Sequence, residues 1–228
     1  LALTCYTRQY YSIFYSFFLI YYLKELNFKR FLILGFFSLL LALPGILFLY
    51  SYPDIFNKLK FSGNISNTFL GNVTTLFVYT LPVFLINFFY SKEKLFNFKK
   101  IALYFVLSLL ISFLIFLTYN INNMGMNGGA IFILSNKIFG NYYLFYFIFF
   151  INLILIFILF NNPLDLFFIF SIIFVVSGII VLQKYLEPLF LIFFFLYSKS
   201  IFKNLFFTSK NAALLLVLYH LLYLFVAT

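Results

Sequence analysis

Eight apolar stretches, at about 4–23, 31–50, 69–90, 101–119, 142–160, 166–182, 186–198 and 212–227, take up most of this sequence. The hydrocarbon core of a bilayer needs about 20 apolar residues of helix to cross it. Most of the stretches are close to that length, and the seventh is short enough for a half-helix or a tilted one. No alternation of period two with turn signals competes with them. In lipid such runs must be helical, because a helix satisfies its own backbone groups. The expected fold is therefore all-α: residues 1–228 form a single polytopic transmembrane domain of about eight spans, with no soluble domain.

Composition agrees. The 228 residues are 65% hydrophobic and 9% charged, whereas a soluble domain carries about 25% charged residues. The 20 formal charges cannot wet the surface of a water-soluble globule, and the high apolar content excludes disorder. Aromatic residues reach 26% without any Trp. An AT-rich coding sequence produces that bias, so the aromatics are not by themselves a sign of ligand binding. The net charge of +10 does not point to nucleic acid, since the cations sit between apolar segments and never run beyond two in a row. The one cysteine, Cys5, excludes an internal disulfide. The first residue is Leu, which leads us to expect the C-terminal part of a longer membrane protein.

The cations fall unequally on the alternate connections. One set holds ten: Lys24, Lys29, Arg30, Lys92, Lys94, Lys99, Lys100, Lys199, Lys203 and Lys210. The turn at Asn161–Asp165 belongs with them. The other set holds four: Lys58, Lys60, Lys137 and Lys184. The positive-inside rule makes the first set cytoplasmic and turns the loops at 51–68, 120–141 and 183–187 outward, together with Arg8. The expected location is an integral, multi-pass position in a bacterial inner membrane or the endoplasmic reticulum. No internal repeat supports an inverted-repeat transporter.

Few residues are equipped for chemistry. There is no glycine-rich phosphate loop, no HExxH and no pair of Cys or His at metal spacing, so neither a metal nor a cofactor is expected. His220 is the single histidine, and the predicted topology separates it from Asp54 and Asp165. Within a span, its duller role is a bond to a neighbouring backbone group or tyrosine. Arg8 lies two turns into the first span, beside Gln9, Tyr10 and Tyr11. It has two economical fates: snorkelling to the headgroups, or contact with an anion, for which guanidinium is suited. Tyr11 and its neighbours suit an interfacial belt or a sugar-stacking surface. Lys184 and Glu187 flank an outward turn in which Pro188 opens a helix. They serve that helix end or line a polar pocket. Gly128 and Gly129 are expected in an outward, non-helical segment, followed by a short amphipathic helix from Ala130 to Phe139. Asn64-Ile65-Ser66 and Asn72-Val73-Thr74 match the glycosylation sequon, the second from inside a span.

Arg8-Gln9, followed by Ile13 and Phe14, resembles the Arg-Gln segment of the dolichyl-phosphate-glucose α-1,2-glucosyltransferase family. Glu187-Pro188 with Phe190 resembles its Glu-Pro-aromatic element, and between the two only hydropathy matches. The chain departs from the family at Tyr10-Tyr11, where the family has Thr-Asn, and at Leu189, where it has Arg. The resemblance implies a GT-C-type membrane glycosyltransferase that takes a sugar from a polyprenyl- or dolichyl-phosphate donor at the extracytoplasmic face. Its catalytic carboxylate would lie upstream of Leu1. Arg8, Gln9, Tyr11, Gly128, Gly129, Lys184 and Glu187 would contribute to the donor site, with Arg8 or Lys184 neutralising the phosphate. The implied partners are membrane lipids and the lipid-phosphate-linked sugar donor. The alternative is a transporter or flippase for a lipid-linked or polar solute, which requires functional charge near mid-membrane.

Overall fold

A computed structural model describes residues 20–24, 26–51, 65–90, 98–118, 129–175 and 189–227. Among the described residues the secondary structure is entirely helical. The longer helices are α1 (Phe28–Ser51), α2 (Ile65–Tyr90), α3 (Phe98–Thr118), α4 (Gly129–Phe139), α5 (Tyr143–Leu159) and α6 (Pro163–Val175). A π-helical turn follows at Phe193–Tyr197, then a 3-10 turn at Ile201–Lys203, α7 (Asn204–Thr208) and α8 (Lys210–Ala227).

Two helices are long and apolar enough to cross a membrane, Ser66–Tyr90 and Phe98–Thr118. At about 1.5 Å per residue they reach the roughly 30 Å of a hydrocarbon core. The two sit in different surroundings. The most apolar window of the first is 67% buried inside the protein, that of the second only 6%. α2 is thus the central helix of the bundle and α3 an outer one.

The chain direction of each helix can be read from its contacts. Ser66 and Thr118 share a hydroxyl–hydroxyl hydrogen bond of 2.6 Å, so α2 starts where α3 ends. α3 and α5 are antiparallel, with Tyr104 stacked on Phe157 at 5.8 Å and Phe116 meeting Tyr146 at 6.5 Å. Ser108, the fully buried residue of α3, lies one turn from Tyr104 and lets the backbones approach. α2 and α5 run parallel, with Phe69 against Phe149 near their starts. α6 returns antiparallel to α2: its end brings Phe174 to within 5.0 Å of the Phe69 ring, and Asn72 Nδ2 donates to the carbonyl of Ile173 at 2.6 Å. The sequon at Asn72 is thereby buried and already spent on a backbone bond.

One amide holds the central pair together. Asn152 is fully buried on α5; its Nδ2 donates to the Val73 carbonyl, and its Oδ1 accepts from the Thr80 hydroxyl. In apolar surroundings such interhelical bonds act as glue. The aromatic core continues on the far side of α2, where Tyr79 meets Phe190 at 6.0 Å and His220 of α8 at 5.7 Å.

One expectation is corrected here. Gly129 is not part of a non-helical segment; it is the first residue of α4. The helical period continues one residue upstream of Ala130. Gly128 lies outside the described residues. α4 is amphipathic: Ile131 and Phe132 pack on the core while Ile133, Leu134 and Ile138 are exposed. It ends at Gly140, whose φ of 62° is the left-handed cap that glycine adopts without strain. Its N–H donates to the Asn136 carbonyl at 2.9 Å. A Cβ at Gly140 meets nothing within 4 Å, and the same is true at Gly35 inside α1. Backbone preference therefore decides both substitutions. Gly140→Ala is expected to lower stability by about 1 kcal/mol, and Gly35→Ala to raise it by about 0.5–1 kcal/mol. Denaturant titration of the two variants checks this; equal effects of one sign would refute it.

Candidate functional site

The helix ends that carry cations converge at one end of the bundle. α3 begins there with Lys99 and Lys100, because α5, its antiparallel neighbour, ends there. From α5 the chain turns through Asn161 and Asn162 into α6. Residues 20–24 join the same end, the Tyr21 ring lying 6.5 Å from Tyr197 with the Lys199 ammonium 6.0 Å above it. Lys24, Lys29 and Arg30 follow within nine residues of Tyr21. Lys210 follows Phe206, whose ring lies 6.4 Å from Phe194 and 5.9 Å from Phe195. With Lys203 this makes eight described cations at one end, and only Lys137 of the described cations is at the other.

A buried polar junction holds this end together. Asn162 caps α6, its Oδ1 accepting from the Leu164 N–H at 3.1 Å, and Pro163 needs no partner in the first turn. Asp165 is the acid of that turn, where the helix dipole favours a negative charge. It is only 3% exposed, and its Oδ2 accepts from the Lys199 backbone N–H at 2.8 Å. The chain can deliver that N–H because the preceding turn is wound as a π-helix. Ser198 N–H donates to the Phe193 carbonyl, five residues back, at 2.9 Å, and Ser198 itself is extended. Ser198 Oγ donates to the Phe194 carbonyl at 3.0 Å and accepts from Ser200 N–H at 3.3 Å. Ser200 Oγ accepts from Phe202 N–H at 3.3 Å, and Lys203 Nζ donates to the Ser198 carbonyl.

Burial pushes the Asp165 carboxyl above the ordinary value, against the opposing pull of the Lys199 N–H and of the positive charges on Lys203 and Lys199. Asp165 lies ahead of the apolar run expected at 166–182. One carboxylate, two ammonium groups and two serine hydroxyls can fix a turn and attract an anion. They do not compose a nucleophile with its base, and no group of three metal-ligating side chains occurs among the described residues.

His220 is elsewhere. Its Nδ1 bonds the Leu216 carbonyl at 2.8 Å, one turn back, and its ring stacks on Tyr79. Of the residues expected at the donor site, Arg8, Gln9, Tyr11, Gly128, Lys184 and Glu187 lie outside the described residues, and only Gly129, opening α4, is described. The Asp165–Lys199 bond and the Asn152 clamp were missing from the sequence reading. Both left a trace: Asn162-Pro163-Leu164-Asp165 is a helix-start pattern, and Asn152 is the single amide in an apolar run of 19 residues, 142–160.

The chain matches no protein-family model, no curated protein and no solved structure.

Proposed function

We propose that this chain is a multi-pass membrane protein of about eight spans, with its basic end in the cytoplasm. The observation that carries the reading is a coincidence of charge and exposure. Eight described cations gather at one end, and directly below them α1 and α3 expose Leu32, Phe36, Phe37, Leu103, Val106 and Phe113. In water that surface would drive aggregation; in a bilayer it is ordinary, and the cations then obey the positive-inside rule. The test is cysteine labelling at Asn27, Phe96 and Asn204 in membranes. All three should label from the cytoplasmic side, and opposite labelling of any one breaks the topology.

For activity, the reading is a GT-C-type transfer of a sugar from a polyprenyl- or dolichyl-phosphate donor at the opposite, extracytoplasmic face. Its support is the Arg8-Gln9 and Glu187-Pro188 elements, which the proposed topology assigns to that face. Arg8 would stabilise the charge growing on the phosphate leaving group. Arg8→Ala in the full-length protein should then lower sugar transfer by about 10²–10³, and unchanged transfer would remove the phosphate role. The transporter alternative gains little from α2, the central helix. Its buried Thr74, Thr75 and Asn87 spend their donors on carbonyls one turn back, at 2.6, 2.8 and 2.8 Å.

A further inference from the structure

We infer that the basic end, with the apolar helix faces below it, selects anionic phospholipids over zwitterionic ones. This rests on the membrane reading above and names the lipid partner of that surface. Charge decides the occupant. Among the described residues the one acid at this end is Asp165, buried and turned toward a backbone N–H, so it leaves the exposed ammonium and guanidinium groups uncompensated at the surface. Over the whole sequence the connections assigned to this end hold ten cations against Glu25, Glu93 and Asp165.

Position decides that the anion belongs to a lipid. Lys29 and Arg30 are exposed at the start of α1, and one turn on the same helix exposes Leu32, Ile33 and Phe36. Lys99 and Lys100 stand in the same relation to Leu103 and Val106 on α3. A molecule that meets both surfaces carries a phosphate at one end and hydrocarbon at the other. A zwitterionic headgroup also has a phosphate, but its ammonium is repelled by the same cations. A soluble phosphate has no use for the apolar half. Basic clusters at the cytoplasmic end of membrane helices attract anionic headgroups with an energy that accumulates per cation.

The experiment is lipid retention. The full chain is reconstituted with phosphatidylcholine containing a minority of phosphatidylglycerol, re-extracted, and the retained lipid is counted by native mass spectrometry. Phosphatidylglycerol should be enriched several-fold over its bulk fraction, and the enrichment should fall as salt rises. Lys29→Gln with Arg30→Gln should reduce the enrichment roughly tenfold. Both side chains are exposed, so these variants should fold. Lys137→Gln, at the opposite end, should leave the enrichment unchanged. Equal retention of the two lipids overturns the selectivity alone, while failure to retain any lipid overturns the membrane reading with it. Loss of enrichment in Lys137→Gln as large as in the double variant would mean a non-specific charge effect and overturn the site. Full displacement of phosphatidylglycerol by inorganic phosphate would assign the surface to a soluble anion and overturn the lipid.

Discussion

Replacing Asn152 by Ala is expected to destabilise the bundle by roughly 2–4 kcal/mol, the largest single effect away from a charged group. The side chain is fully buried between α5 and α2, and both ends of its amide are used: Nδ2 on the Val73 carbonyl and Oδ1 on the Thr80 hydroxyl. Truncation removes both interhelical bonds and opens a void in a close-packed interface. The Thr80 hydroxyl keeps its bond to the Leu76 carbonyl at 3.2 Å, so the loss is confined to the clamp. Thr80→Val should cost about 1 kcal/mol, because the shape is kept and one bond is lost. A double-mutant cycle of the two, read by unfolding in mixed micelles, isolates their coupling. Asn136→Ala on the exposed face of α4 is the control and should fall within about 0.5 kcal/mol of the parent. A coupling of zero between Asn152 and Thr80 would contradict the clamp.

Asp165→Ala is the second large effect, about 2–3 kcal/mol. The variant leaves a buried backbone N–H at Lys199 without its acceptor and removes the acid from the first turn of α6. It also leaves Lys199 and Lys203 facing each other's charge without the carboxylate between them. Amide exchange at Lys199 should rise, and the turn at 198–203 should loosen before the rest of the bundle. Asp165→Asn should retain most of the stability, since an amide oxygen accepts the same N–H. The two variants also separate the effect of pH. Burial raises the folded-state pKa of Asp165 above its unfolded value. Between those two values the folded chain holds a proton that the unfolded chain has lost. Stability is therefore highest below the unfolded value and falls as pH rises through the folded one. Unfolding measured upward from about pH 4 should show this loss in the parent and a flat profile in Asp165→Asn. A parent that gains stability with rising pH over that range would show that the lysines outweigh burial.

Much of the helical framework was legible in the residues because the signal is one-dimensional. A run such as 101–119 is apolar on every face, and its exposure in α3 reflects that uniformity. Chain order and loop charge are likewise local, so the connections carrying Lys24, Lys99 and Lys199 could be grouped before any coordinate. Local propensity was a weaker guide where glycine was concerned. Gly129 opens a helix because the amphipathic period of α4 extends through it, whereas Gly140, one residue past that period, takes the left-handed cap. The residues proposed for sugar transfer rest on two short elements, and Gly129 alone among them is described.

By itself the sequence determined that the chain is helical, where most of its helices run, and which connections carry the positive charge. Each of these depends on hydropathy, turn chemistry or charge along the chain. Only the tertiary structure decided which apolar helix is central and which is outer, since α2 and α3 read alike and differ in what packs around them. It also decided the partners of the polar groups. Asn152 meets Val73 and Thr80 across more than seventy residues, and Asp165 meets the Lys199 N–H thirty-four residues away because a π-turn winds the chain to present it. A buried polar group must find a hydrogen bond, but which one it finds is set by the packing of distant segments.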